Sequence, residues 1–114
     1  MPFLSIKTNL PVTRQTRKNI LKDTSAVVAH ELEKPEEYVT IALEPNTAML
    51  LSGSDEPMAF LELKSVALVA RKTRPLSQLL CEVMKEHLGI AQNRVYVKFI
   101  DERRRMWGWK GDSL

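Results

Sequence analysis

Met1-Pro2-Phe3-Leu4-Ser5-Ile6-Lys7 is the stretch from which the fold can be read. Leu4 and Ile6 alternate with Phe3 and Ser5, a period of two that predicts a strand with one apolar face. Its beginning is chemically unusual as well. A small second residue such as proline usually permits removal of the initiator methionine, and Pro2 would then end the chain in a free secondary amine, a base that no internal residue supplies. Burial and nearby cations both push an amine's pKa down. A pKa close to the operating pH makes such a group a usable general base.

Outward from that strand, Asn9-Leu10-Pro11-Val12 breaks the alternation, and Thr13 reads as the N-cap of a helix running to about Lys34. Its apolar stripe is Ile20, Leu21, Thr24, Val27, Val28 and Leu32, at the three-and-four spacing of one helical face. Lys18, Lys22 and Glu33 are left for solvent, and Pro35 stops the helix. Tyr38 to Glu44 alternates as a second strand, followed by a turn at Pro45-Asn46, a short apolar run from Ala48 to Leu51, and a loop from Ser52 to Pro57. The scheme then restarts. Met58 to Val66 reads as a strand; Thr73 and Pro75 open a second helix with the stripe Leu76, Leu79, Leu80, Val83, Met84 and Leu88; Gly89 ends it; Arg94 to Ile100 is the closing strand.

Pro2 is thus echoed by Pro57, and Tyr38-Val39 by Tyr96-Val97, which suggests two similar halves, about 2–51 and 57–100, within one domain spanning 1–114. Each half is a strand-helix-strand unit. Joined, they give a two-layer α+β fold: a four-stranded sheet with both helices on one face. Leu4 and Ile6, Val39, Ile41 and Leu43, Ala59, Leu61 and Leu63, and Val95, Val97 and Phe99 form the apolar set for the face under the helices. The other face receives Phe3, Ser5, Tyr38, Thr40, Met58, Phe60, Glu62, Tyr96, Lys98 and Ile100. That mixture is too apolar for water and too polar for a dry core, so association between subunits is expected.

Composition narrows the function classes. With 114 residues, 27% charged and 44% apolar, the chain is neither a disordered tail nor a membrane span. One cysteine, Cys81, cannot pair within the chain, and with only His30 and His87 beside it soft ligands are too few for a zinc site, so no metal or other cofactor is expected. Both histidines, near helix ends, are expected in solvent, and Cys81 as a small buried or half-buried apolar residue. A net charge of +3 favours anionic partners without choosing among them. No charged segment followed by an apolar run marks a secretory leader, so the cytoplasm is the default compartment, with release by a route needing no signal left open.

Pro2, the segment Lys34-Pro35-Glu36-Glu37-Tyr38, Ser65-Val66, Arg94-Val95-Tyr96-Val97 and Gly108-Trp109, in that order and spacing, resemble the macrophage migration inhibitory factor family of the tautomerase superfamily. The resemblance runs end to end. It implies a homotrimer with an active site at each subunit boundary, and an isomerase that interconverts keto and enol forms of phenylpyruvate or dopachrome-type substrates. By resemblance Pro2 is base and then acid, and Lys34 beside it binds a substrate carboxylate and depresses the proline pKa; read alone, Lys34 is a helix C-terminal lysine favoured by the macrodipole. The resemblance likewise assigns ligand contacts to the Val66 backbone with Ser65 adjacent, an aromatic wall to Tyr96 of a neighbouring subunit, and an apolar lining to Phe3, Tyr38 and Trp109.

Three departures qualify it. Lys98 stands where many members carry asparagine, which implies a preference for anionic keto acids. Met58-Ala59-Phe60-Leu61 replaces a C-x-x-C pair, so no thiol-disulfide activity is carried over. Leu114 replaces a terminal aromatic, so a looser pocket rim is expected. Two other classes stay open at this point: a cytokine-like ligand with a vestigial pocket that binds a receptor protein, and an RNA-binding module, against which no strand carries the glycine-and-aromatic RNP1 pattern. Arg103-Arg104-Arg105 reads as a solvated turn rather than a nucleic-acid patch.

Overall fold

Two strands running in opposite directions form the middle of the sheet. In a computed structural model that describes residues 1–114, β1 (Phe3–Thr8) pairs antiparallel with β3 (Ala59–Val66), setting Phe3 opposite Lys64 and Thr8 opposite Ala59. Each central strand carries a parallel partner on its outer side. β2 (Thr40–Glu44) lies along β1 and β4 (Val95–Glu102) along β3, so the order is β2-β1-β3-β4. Helix α1 (Arg14–Leu32) links β1 to β2, and α2 (Thr73–Leu88) links β3 to β4. A short C-terminal hairpin, β5 (Gly108–Trp109) with β6 (Asp112–Ser113), completes the chain. No helix is long and apolar enough to cross a membrane.

Period-two patterning explains which side of the sheet is covered. Leu4, Ile6, Leu61, Leu63 and Ala59 are fully buried, in one cluster with Ile20 and Val28 of α1 and Leu76, Leu80 and Met84 of α2. Complete burial of such a Leu or Ile side chain is worth up to about 1.5–3 kcal/mol. Polar groups in this layer are satisfied locally: the Thr24 hydroxyl donates to the Ile20 carbonyl at 2.7 Å, and the Thr8 hydroxyl to the Met58 carbonyl at 2.7 Å. The opposite face bears Phe60 and Tyr96, ring centroids 6.4 Å apart, and the Glu62–Lys64 ion pair at 3.3 Å, with no layer over it.

Local signals hold at most helix ends. The Thr13 side chain accepts from the Thr16 amide at 3.2 Å, and Gly89, at φ 67°, returns its amide to Lys85 at 3.0 Å. Thr73 opens α2 as expected, after a single 3₁₀ turn over Ala70–Lys72, and its hydroxyl donates back to the Ala70 carbonyl at 2.8 Å. Three expectations need correction. Tyr38 belongs to a 3₁₀ turn, Glu36–Tyr38, and β2 begins only at Thr40. Met58 lies before β3 and is buried, 4% exposed, instead of facing outward. His87 is not in solvent: its side chain is only 14% exposed and its Nε2 lies 2.7 Å from the Asp23 carboxylate on α1, whereas His30 is 87% exposed as expected.

The loop between the halves is held by two side chains whose roles no local pattern announces. Arg94 spends its guanidinium on four carbonyls, those of Leu51, Ser54, Glu56 and Pro57, at 2.8–3.1 Å. Asn9 donates to the carbonyls of Asp55 and Glu56 and accepts from the Met58 amide. Arg94→Ala should therefore destabilise the chain by about 2 kcal/mol in urea unfolding, and Arg94→Lys should recover little of it, because an ammonium cannot reproduce the planar fork. Full recovery by lysine would reduce Arg94 to a point charge.

Candidate active site

The end of β1 that carries Pro2 is built into the sheet, not frayed from it. The Thr40 amide donates to the Pro2 carbonyl at 3.0 Å, continuing the parallel ladder by one residue, and the Pro2 ring is buried. Met1 precedes it as a half-exposed residue. With Met1 attached, the Pro2 nitrogen is a tertiary amide without basicity.

Lys34 reaches this place through the way α1 ends. Glu33 adopts the left-handed region at φ 53°, and the Lys34 amide donates to Ala29 at 3.0 Å, which turns the chain sharply across the helix end before Pro35. The Lys34 side chain then crosses to β3, where its Nζ donates to the Val66 carbonyl at 3.1 Å. The same oxygen accepts from the Ser65 hydroxyl at 3.3 Å; the Ser65 side chain itself is fully buried on the helix side. Lys34 thus presents its charge from a half-buried position.

Two adjoining hollows meet here. One, of about 240 Å³, is lined by Met1 and Pro2, by Glu37, Tyr38 and Thr40, and by Trp107, Gly108 and Trp109. The other, of about 340 Å³, is lined by Met1, Lys34, Pro35, Tyr38, Trp109 and Leu114. Tyr38 and Trp109 stand between them edge to face, centroids 5.8 Å apart, and Lys110 Nζ lies 4.3 Å from the centre of the Trp109 ring. The 3₁₀ position of Tyr38 is what brings its ring to the hairpin. A larger, open hollow of about 730 Å³ around Asn46–Leu50 also includes Asn9 and Asp55, at the far end of β1 and away from Pro2 and Lys34.

The electrostatics of the spot bear on an amine. The α-amino group of Met1, one residue before Pro2, is held below its usual pKa, first by burial, then by the Lys34 ammonium and the Arg104 guanidinium. Arg104 belongs to a 3₁₀ turn whose carbonyl accepts from Trp107, one of the lining residues. Arg103, Arg104 and Arg105 are all exposed, as expected of a solvated turn, and the fold of the C-terminal segment brings Arg104 towards the amino terminus. Burial pushes the Cys81 thiol in the opposite direction, away from the thiolate.

Not every expected residue converges. Pro2, Lys34, Tyr38, Trp109 and the Val66 carbonyl are gathered at one end of the sheet. Phe3 points to the uncovered face beside Lys64 and lines neither hollow. Tyr96 and Lys98 are on β4, exposed; Tyr96 pairs with Phe60, itself opposite Lys7, so it lies roughly 17 Å along the strands from Pro2. Within one chain they do not line this pocket.

A family model described as macrophage migration inhibitory factor matches residues 1–114. The chain belongs to the macrophage migration inhibitory factor family. It is 34% identical to the macrophage migration inhibitory factor homolog of Brugia malayi, covering 100% of this chain and 99% of that one. The mouse macrophage migration inhibitory factor is 28% identical over the same shares. Among solved structures, the crystal structure of the homologue from Prochlorococcus marinus superposes with a TM-score of 0.91 at 34% identity, covering 97% of each chain. The two helices over a four-stranded mixed sheet are thus the fold of this family.

Removing either cation beside the amino terminus should raise the pKa of the terminal amine. An NMR pH titration of that group in Lys34→Gln and in Arg104→Gln tests this, with the upward shift larger in the double variant. An unmoved titration in both would detach these cations from the site.

Proposed function

We propose that this chain, with Met1 removed, is a keto-enol tautomerase that uses the Pro2 nitrogen as base and then acid, on phenylpyruvate or dopachrome-type substrates. The supporting observation is the spot itself: the Met1 amine, one residue before Pro2, is depressed by burial and by Lys34 and Arg104, and Pro2 lines the aromatic hollow beside it. A neutral secondary amine accepts the proton from the carbon next to the carbonyl, and the electron pair left behind moves onto the carbonyl oxygen. The protonated proline returns its proton to that oxygen, giving the enol and restoring the amine. Lys34 leaves the Val66 carbonyl for the substrate carboxylate and offsets the negative charge while the proton is in transit. Positioned proton transfer of this kind contributes roughly 10²–10⁴ in rate.

In this reading the single domain 1–114 works as a homotrimer. Tyr96 and Lys98, remote from Pro2 in their own chain, close the pocket of a neighbouring copy, and the uncovered sheet face is buried between copies. Lys98 then adds a second positive charge for anionic keto acids. The protein acts in the cytoplasm without a cofactor. A second role, as a secreted ligand for a receptor protein, is favoured by the names of relatives such as the mouse protein.

Intact mass should show the chain starting at Pro2. Pro2→Gly should lose about 10²-fold or more of phenylpyruvate tautomerisation while sedimenting as the same trimer. For the wild type, kcat/KM should rise with pH as the amine loses its proton. Lys34→Ala should move that rising limb to higher pH, since a lost cation raises the amine pKa. Unchanged turnover in Pro2→Gly removes the proline from the mechanism.

A further inference from the structure

A group of side chains on the helical layer, unrelated to the pocket, has the chemistry of a metal site. His87 and Glu86 near the end of α2 face Asp23 in the middle of α1, and one ligand atom from each lies within 4.8 Å of the others. We propose that Asp23, Glu86 and His87 bind a divalent transition metal of the zinc type and staple α1 to α2.

The donor set supports this choice of ion. One imidazole nitrogen with two carboxylate oxygens suits zinc, cobalt or nickel, while magnesium and calcium prefer oxygen alone. Ligand atoms around one tetrahedral zinc stand about 3.3 Å apart, given bonds of about 2.0–2.2 Å. The His87 Nε2–Asp23 Oδ2 distance of 2.7 Å has to open slightly for an ion to enter, and the exposed Glu86 has freedom to close in as the third arm. The proton now shared between Nε2 and Oδ2 leaves Nε2, either to the other ring nitrogen or, from an imidazolium, to solvent. Two carboxylates neutralise the ion's charge, and a water takes the remaining position.

Burial makes the site more than a surface coincidence. With 14% of its side chain exposed, His87 is already ordered against α1, so little side-chain freedom is lost on binding. The imidazole and one carboxylate come from different helices, which is why counting cysteines and histidines along the chain gave no hint of it. The only other histidine, His30, lies 3.9 Å from Glu31 and is exposed, so it serves as a control.

The test uses the intact chain and the metal alone. Zinc at a hundredfold excess over its dissociation constant should raise Tm by about 10 °C. Cobalt should give visible bands of a low-symmetry site with one nitrogen ligand. His87→Gln should abolish both effects. Glu86→Gln, at an exposed position that does not threaten folding, should weaken binding at least tenfold, and His30→Ala should change nothing. No thermal shift with zinc, or undiminished cobalt binding in both Glu86→Gln and His87→Gln, overturns the proposal.

Discussion

The hydrogen bond from the Thr40 amide to the Pro2 carbonyl is the constraint on which the site depends. Chain termini are ordinarily mobile because nothing pairs with them. Here the parallel ladder between β1 and β2 is carried to the second residue, so the amino end is fixed at one end of the sheet. An ordered terminus can be buried and surrounded by fixed charges, and only such a terminus has a depressed pKa rather than the value of a free amine. The β1 core residues Leu4 and Ile6 anchor the same strand from the opposite face.

Three separate parts of the chain meet at that end of the sheet, each delivered by a specific backbone feature. The left-handed Glu33 brings Lys34 off the end of α1, the 3₁₀ turn after Pro35 sets Tyr38 beside Trp109, and a second 3₁₀ turn carries Arg104 and Trp107. A non-glycine residue in the left-handed region costs of order 1 kcal/mol. At Glu33 that cost is met by two amide bonds closing the helix end, to Ala29 and His30. A straight continuation of α1 would carry Lys34 away from Val66.

The sheet and both helices were legible because their signals are periodic. The pairs Leu4 and Ile6, and Leu61 and Leu63, set the buried face, and the three-and-four spacing of Leu76, Leu80, Val83 and Met84 set the α2 stripe. What escaped is non-local. His87 was placed in solvent because Asp23 is on another helix, and Met58 was turned outward because alternation was extended one residue beyond the strand. Arg94 looked like an ordinary strand residue until the loop carbonyls around it were in place. For the site, Pro2, Lys34, Tyr38 and Trp109 were identified by resemblance, whereas the part played by Arg104 required the fold of the C-terminal segment.

The distribution of the remaining candidates follows from the same sheet. Parallel pairing of β4 with β3 sets Tyr96 beside Phe60 and Lys98 beside Glu62, while antiparallel pairing of β3 with β1 sends that end of β3 away from Pro2. No rotamer change in Tyr96 spans about five residues of strand. A pocket that includes both Pro2 and Tyr96 therefore has to be made by two copies of the chain. The exposed pair Phe60 and Tyr96 lies on the face without a helical layer, where a second copy would remove apolar surface from water. Their place at a boundary between chains is what the family resemblance implies, and their separation from Pro2 within one chain agrees with it.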